Sequence, residues 1–232
     1  MALPDFPRPL ATVDLAIFSI RDGGLFVLLV KRPADAEEPF PGRWALPGGF
    51  VDVGVDRDLE ACATRKLREK TGFMAPYLEQ VGSWGNARRD PRGWSATHLY
   101  FALAPGNQEL PAGSGGSWRA IEGNGAGVRL AFDHERLLEA AVTRLRAKVE
   151  YTSLPAYLIP EPFTLAELQR AFEVVLGRAV NKAAFRTRIL SSGLVESTGK
   201  QRDGPTRPAG LYRRAARDGD LTYFPRPLSP RD

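Results

Sequence analysis

The chain has 232 residues, room for one large domain or two of ordinary size, and its 43% hydrophobic and 25% charged content is that of a globular protein. No apolar run approaches the roughly 18 residues of a membrane span, and the N-terminus lacks the basic start and apolar stretch of an export signal, so a cytoplasmic protein is expected. One cysteine and two histidines exclude an internal disulfide and argue against a Cys- or His-based metal site.

The net charge of +5 is uneven: residues 1–150 hold 19 Lys/Arg and 19 Asp/Glu, whereas 151–232 hold 13 and 8. Any polyanionic partner is therefore expected to meet the second part. In chain order, VDLAIFSI (13–20) and LFVLLVKR (25–32) flank RDGG and predict a hairpin. A short strand broken by Pro47 and a glycine pair follows at 43–52. Apolar or small residues at Leu59, Cys62, Ala63 and Leu67, stopped by Gly72, predict a helix over 58–71. Cys62, inside it, reads as core rather than nucleophile. Strands are expected at 78–86 and 95–104, a Gly-rich loop at 112–127, and an amphipathic helix at 132–150. The first part is thus a mixed α/β unit, a sheet flanked by helices, spanning 1–150 and ending in that linker helix.

A second unit, 151–232, opens with a helix over 164–177 carrying a Thr164/Glu167 capping box and a Gly177 stop. A short link leads to a helix over 181–193, from Asn181 to Gly193, and then to two strands around a Gly/Pro/basic tip (194–214). Helix, turn, helix and basic hairpin is the order of a winged helix-turn-helix. The proline-containing tail beyond Ala215 is expected to be ordered only by contact. Stepping through 181–193 places Ala183, Phe185, Ile189 and Leu190 in one apolar arc, and Ala184, Thr187, Arg188 and Ser191 opposite. That opposite arc is the candidate major-groove face, with Arg188 set to read guanine and Thr187 a phosphate or a thymine methyl. Lys182 and Arg186 are assigned to phosphates, and Lys200, Arg202 and Arg207 at the wing tip to backbone or minor groove. Solubilising charges on an interaction module are the plain alternative.

The stretch 49–73, ending RKLREKTGF, resembles the Nudix box. Two departures stand out. The segment from Gly49 to Gly72 is two residues longer than the family pattern, and of three family glutamates on the helix only Glu69 remains, with Lys66 and Lys70 at the others. The family's hydrolases cut nucleoside diphosphate derivatives with Mg²⁺, a hard ion that needs carboxylate oxygens. Positions 66, 69 and 70 share one helical face. A charge at about 4 Å is worth about 4 kcal/mol at an effective dielectric of about 20, so reversing two ligands removes the metal cluster. No catalytic residue, no metal and no required cofactor is therefore assigned. Lys66 and Lys70 either face a diphosphate directly or are solvated surface lysines.

The segment WGNARRDPRGW (84–94) looks like that of Nudix domains handling ADP-ribose, which makes Arg89 and Arg92 ligand candidates; a solvated loop held by an Arg–Asp pair is the alternative. Phe50 and Trp84 either stack on an adenine or pack in the core. FDHERLLEAAVTRLRAKVEYTSL, FTLAELQRAFEVVLG, NKAAFRTRILSSGLVESTG and RPAGLYRR together resemble the Nudix-related transcriptional regulators of NAD metabolism. That resemblance implies a homodimer on a palindromic DNA operator, with ADP-ribose as effector. A Mg-dependent ADP-ribose pyrophosphatase, or a like regulator sensing another nucleotide or a sugar, are the competing readings.

Overall fold

A computed structural model describes residues 7–35, 37–203, 208–215 and 220–225. The N-terminal unit is built on a seven-stranded sheet whose main order is β3-β2-β1-β6-β5. Its strands are β1 (Leu10–Arg21), β2 (Gly24–Lys31), β3 (Trp44–Ala45), β4 (Gly48–Phe50), β5 (Tyr77–Asn86), β6 (Ser95–Ala104) and β7 (Gly116–Ala120). The β1–β2 turn is the predicted one: Asp22 (φ 47°) and Gly23 (φ 76°) both take left-handed backbone, which matches the twist of the strands they join. β1 pairs in parallel with β6 from Leu10 to Ser19, and β5 pairs antiparallel with β6. β7 lies inside the stretch expected to be loop. Its five residues carry no alternation strong enough to show in the sequence, and pairing of Gly116–Ala120 with Phe26–Val30 makes them a strand.

The unbroken buried run of β1, Thr12 to Ser19, follows from cover on both faces. Helix α1 (Leu59–Thr71) packs Cys62, Ala63 and Leu67 on Val13, Leu15, Ile17 and Tyr100. Asp58 caps it by accepting the Ala61 N–H at 2.7 Å, and Gly72 (φ 74°) ends it. The Cys62 thiol, fully buried, is pushed up to about 11 by desolvation, as suits a core position. Helix α2 (His134–Val149) covers the other face with Leu137, Leu138, Ala141, Val142 and Leu145 against Phe18, Val27, Leu99 and Phe101.

α2 also belongs to the second unit. After a 3₁₀ turn (Leu154–Tyr157) come β8 (Phe163–Thr164), α3 (Leu165–Leu176), α4 (Lys182–Ser191), β9 (Val195–Arg202) and β10 (Ala209–Arg214). The capping box closes as expected, with Thr164 Oγ1 accepting from Glu167 N and Glu167 accepting from Thr164 N. β8, β10 and β9 form a three-stranded sheet beside the two helices. The hydrophobic core runs without a break from Phe101 through Leu137 and Leu145 to Phe172, Phe185 and Phe224. Arg146 donates to the Val175 carbonyl at 3.1 Å and Arg178 pairs with Glu150 at 2.8 Å, which fixes the end of α2 to the helices that follow. Among the described residues, no helix is long and apolar enough to cross a membrane.

Candidate functional site: a polar cavity and a basic helix face

A cavity of about 300 Å³ opens at one end of the large sheet. Its floor is a buried polar network. Asp14 on β1 accepts from Thr97 Oγ1 at 2.7 Å and from Arg89 at 3.4 Å. Arg89, on the β5–β6 loop, donates to both oxygens of Asp133, at 3.2 and 3.0 Å, and to Ser95 at 3.2 Å. His134, the first residue of α2, accepts the Leu46 N–H on Nδ1 at 2.9 Å, which leaves its Nε2 toward Asp14 at 3.6 Å. Burial lowers the His134 pKa against the opposing pull of Asp14 and Asp133, which favours the neutral imidazole. The backbone that follows Leu46 carries Gly48, where a Cβ would meet the Val13 carbonyl at 2.3 Å and Asp14 at 2.6 Å. Only glycine lets this wall come so close to the network.

Over the floor lies an aromatic and arginine platform. The Arg92 guanidinium sits 4.9 Å from the Phe50 ring centre and 5.9 Å from that of Phe132, while Arg32 lies 4.9 Å from Phe132 on its other contact. Asp90 holds Arg92 through two hydrogen bonds of 3.0 and 2.8 Å. Burial works against ionisation of Asp90, yet these bonds keep its carboxyl below the usual range. Phe50 remains 43% exposed, an apolar ring held at the cavity mouth without a core to cover it.

The wall from α1 completes the cavity. Lys70 lines it directly, and Lys66 lies flat against Gly49, where a Cβ would come within 3.1 Å of Lys66 Cε. Glu69, between them, is bound by Arg65 at 2.9 Å and Lys66 at 3.3 Å. Partial burial opposes its ionisation, but those two cations hold Glu69 below its ordinary pKa. Arg65 also grips Asp56 through bonds of 2.7 and 2.6 Å, which anchors the loop before α1 and keeps the Asp56 carboxyl far below the usual range.

The second surface is α4 with the β9–β10 hairpin. Phe185 and Ile189 are its only buried residues, with Phe185 packed edge-on to Phe172 at 5.2 Å. Lys182, Ala183, Arg186, Thr187 and Leu190 are exposed. Lys200 is exposed on the hairpin.

Residues 10–144 match the NUDIX domain family, and residues 155–214 match the family described as the NrtR DNA-binding winged helix domain. Over 97% of its length the chain is 50% identical to the "ADPR responsive transcriptional repressor NtrR" of Acinetobacter baylyi, of which it covers 89%. The chain belongs to the NrtR family. The crystal structure of Shewanella oneidensis NrtR complexed with a 27mer DNA aligns with a TM-score of 0.84 at 39% identity, covering 94% of this chain and 99% of that one. The NUDIX domain of the same protein complexed with ADP ribose aligns over 60% of this chain and 90% of that domain, at 42% identity and a TM-score of 0.53.

Within this NrtR chain the structure gathers five of the seven expected ligand residues. Phe50, Lys70, Arg89 and Arg92 line the cavity, and Lys66 lies against its Gly49 wall. Glu69 is exposed on the same helix and taken up by Arg65 and Lys66. Trp84 does not join them. It packs toward the core under α2 and borders a groove with Arg136, Ala140 and Thr143, because a register shift in β5 between Gln80 and Gly82 turns it to the α2 side. Asp14, Asp133 and His134 escaped the sequence reading, since two segments far apart in sequence, β1 and the start of α2, bring them together; the Asp-His pair opening a helix was the one signal available.

On the DNA side, Ala184, Thr187 and Ser191 of the expected arc are exposed, but Arg188 is half-buried. Arg188 faces the body of the protein, 5.6 Å from the Phe224 ring, and burial lowers its pKa. Ala183 and Leu190, expected in the apolar arc, face outward instead. The reason is helical spacing: α4 buries a narrow stripe, Phe185 and Ile189, and at about 100° per residue Ala183 and Leu190 fall on the far side of it while Arg188 falls on its flank, against Phe224. Arg202 is exposed but already donates to Glu167 at 2.6 Å and to the Pro162 carbonyl at 3.0 Å. Arg207, and the tail beyond Pro225, lie outside the described residues.

Proposed function

We propose that this chain is an ADP-ribose-responsive transcriptional repressor of NAD synthesis or salvage genes, acting in the cytoplasm as a homodimer on a palindromic operator. The observation that carries the reading is that one helix serves both surfaces. α2 begins with Asp133 and His134 in the cavity floor and ends with Val149 in the core shared with α3 and α4. A ligand that shifts the floor moves the helix on which the DNA-binding unit is packed.

The family relationship supports each half. The Acinetobacter relative is named as ADPR-responsive and as a repressor, and the Shewanella relative is known with DNA and, in its NUDIX domain, with ADP ribose. Chemistry in this chain is consistent with both. The cavity is at the lower end of the size range of small-molecule sites, and it combines an exposed ring, a guanidinium above it and cationic walls, which suits a nucleotide diphosphate. Arg186 is the exposed arginine of α4 and is assigned to base reading, with Thr187 and Leu190 placed for thymine methyl or phosphate contact. Lys182 and Lys200 are assigned to phosphates.

The same reading excludes magnesium-dependent hydrolysis as the chain's role. Of the helical positions that bear glutamates in the hydrolases, two are lysines, and Glu69 is occupied by two cations. The residues present do not fit the metal.

Release of DNA by an effector requires that ADP-ribose bind the free protein more tightly than the operator-bound form. Fluorescence anisotropy of a labelled operator fragment, titrated with protein and then with ADP-ribose at fixed salt, tests this. Specific binding reversed by micromolar ADP-ribose is expected. Specific binding indifferent to ADP-ribose, but reversed by another nucleotide or a sugar, would keep the regulator and replace its effector. Binding no better than to random DNA would overturn the reading.

A further inference from the structure

We infer that the cavity is a metal-free diphosphate clamp in which Lys70, assisted by Lys66, supplies the positive charge that magnesium supplies in the hydrolases, so that Mg²⁺ weakens effector binding. This rests on the function proposed above and adds the sign of its ion dependence.

The arginines of the cavity are each engaged by a carboxylate. Arg89 is bound to Asp133 and Asp14, Arg92 to Asp90, and Arg32 to Glu38. Each of these arginines meets an incoming anion with its charge already offset. Lys70 differs: it lines the cavity, is partly buried, and has no carboxylate within ion-pair distance among the described residues. A partly buried cation without a counter-ion is costly in the empty site and gains most from an anionic ligand.

Lys66 stands one turn earlier on the same face. Its ammonium lies against Gly49, at 3.2 Å from where a Cβ would be, and shares Glu69 with Arg65. Arg65 can retain Glu69, which frees Lys66 to turn toward a phosphate oxygen. Gly49 has φ 155°, so a side chain there is disfavoured by the backbone as well as by Lys66. The two lysines therefore converge on one wall, at the helical spacing i, i+4.

A doubly charged diphosphate between two ammonium groups needs no metal. When Mg²⁺ in solution coordinates the diphosphate, it removes the charge that the lysines recognise. The complexed ligand then brings a divalent cation to a wall with no free carboxylate to receive it. In a hydrolase of this fold the sign is opposite, because glutamates there bind the metal and the metal binds the substrate.

Calorimetric titration of the full chain with ADP-ribose, in EDTA and in millimolar Mg²⁺ at matched ionic strength, tests the inference. Matching ionic strength separates specific coordination from screening. The wild type is expected to bind more tightly in EDTA. Lys70→Gln is expected to weaken metal-free binding roughly tenfold to a hundredfold, the loss of one charge-assisted contact. Lys70→Glu is expected to weaken it further and to reverse the effect of Mg²⁺, with affinity now rising as the metal is added. Operator binding in the absence of ligand serves as the folding control for both variants. Tighter wild-type binding in Mg²⁺, or a Lys70→Gln affinity equal to wild type, would overturn the clamp while leaving the effector intact. Wild-type protein that binds operator specifically but takes no ADP-ribose in either buffer would overturn the effector itself, and the clamp with it.

Discussion

The two ends of this molecule treat positive charge in opposite ways. In the proposed effector cavity the arginines are committed: Arg89 to Asp133 and Asp14, Arg92 to Asp90, Arg32 to Glu38. On the DNA-binding side Lys182, Arg186 and Lys200 are exposed and, among the described residues, form no ion pair. A small ligand must find its groups already in place, because ordering them on binding would cost affinity. A DNA backbone is read by cations that exchange solution counter-ions for phosphates, and a partner carboxylate would oppose that exchange. Rigid pairing at one end and solvated charge at the other are thus both fitted to the ligand expected there.

The largest effect should come from breaking the committed side. Arg89→Met keeps most of the volume but leaves Asp14 and Asp133 beside each other without their shared cation. The Arg89 side chain is only 4% exposed, so solvent cannot compensate. Removing one partner from a buried pair costs about 3–5 kcal/mol, and urea denaturation of the variant is expected to show a loss of that size. A loss below about 0.5 kcal/mol, typical of surface positions, would mean that the network does not hold the floor together. The same variant should weaken coupling between ADP-ribose and operator, since Asp133 leads into α2.

The next effect separates two arginines that are neighbours in sequence. Arg186→Ala is expected to weaken operator binding roughly tenfold to a hundredfold and to relax preference at one base pair, as loss of a bidentate base contact does. Arg188→Ala should leave sequence preference intact and instead lower stability by about 1 kcal/mol through its contact with Phe224. Competition anisotropy with single-base operator variants measures the first, and denaturation the second. If the two variants exchanged these outcomes, α4 would present the opposite face to DNA.

That pair also marks how far the sequence could be read. The hairpin, α1, α2 and the capped α3 were legible because turn residues, caps and apolar spacing are local signals. That Lys66, Glu69 and Lys70 share one face of α1 was legible because a charge at helical spacing needs no tertiary information. The face of α4 was misassigned: at about 100° per residue Ala183 and Leu190 lie on the side away from Phe185 and Arg188 lies beside it, so their apolar character, and not their spacing, misled the grouping. Trp84 took the core alternative of its two readings: alternation within β5 is interrupted by a register shift between Gln80 and Gly82, which the sequence does not announce. The floor of the cavity was hidden because Asp14, Arg89 and Asp133 meet only after the sheet and α2 are assembled.

The smallest effect sharpens the comparison most. Lys200 and Arg202 sit two residues apart on one hairpin, yet only Arg202 is paired, through Glu167 and the Pro162 carbonyl. Lys200→Ala is expected to weaken operator and random DNA alike and to lower the slope of log K against log salt by about one unit. Arg202→Ala should change that slope less, because its guanidinium already has a counter-ion at 2.6 Å and a phosphate would have to displace it. Anisotropy titrations of both variants over a salt series give the two slopes directly. Equal reductions would show that DNA outcompetes Glu167, and that a surface ion pair on this wing does not distinguish a committed cation from a free one. A larger reduction for Lys200 would extend to a single hairpin the division that separates the cavity from the recognition helix.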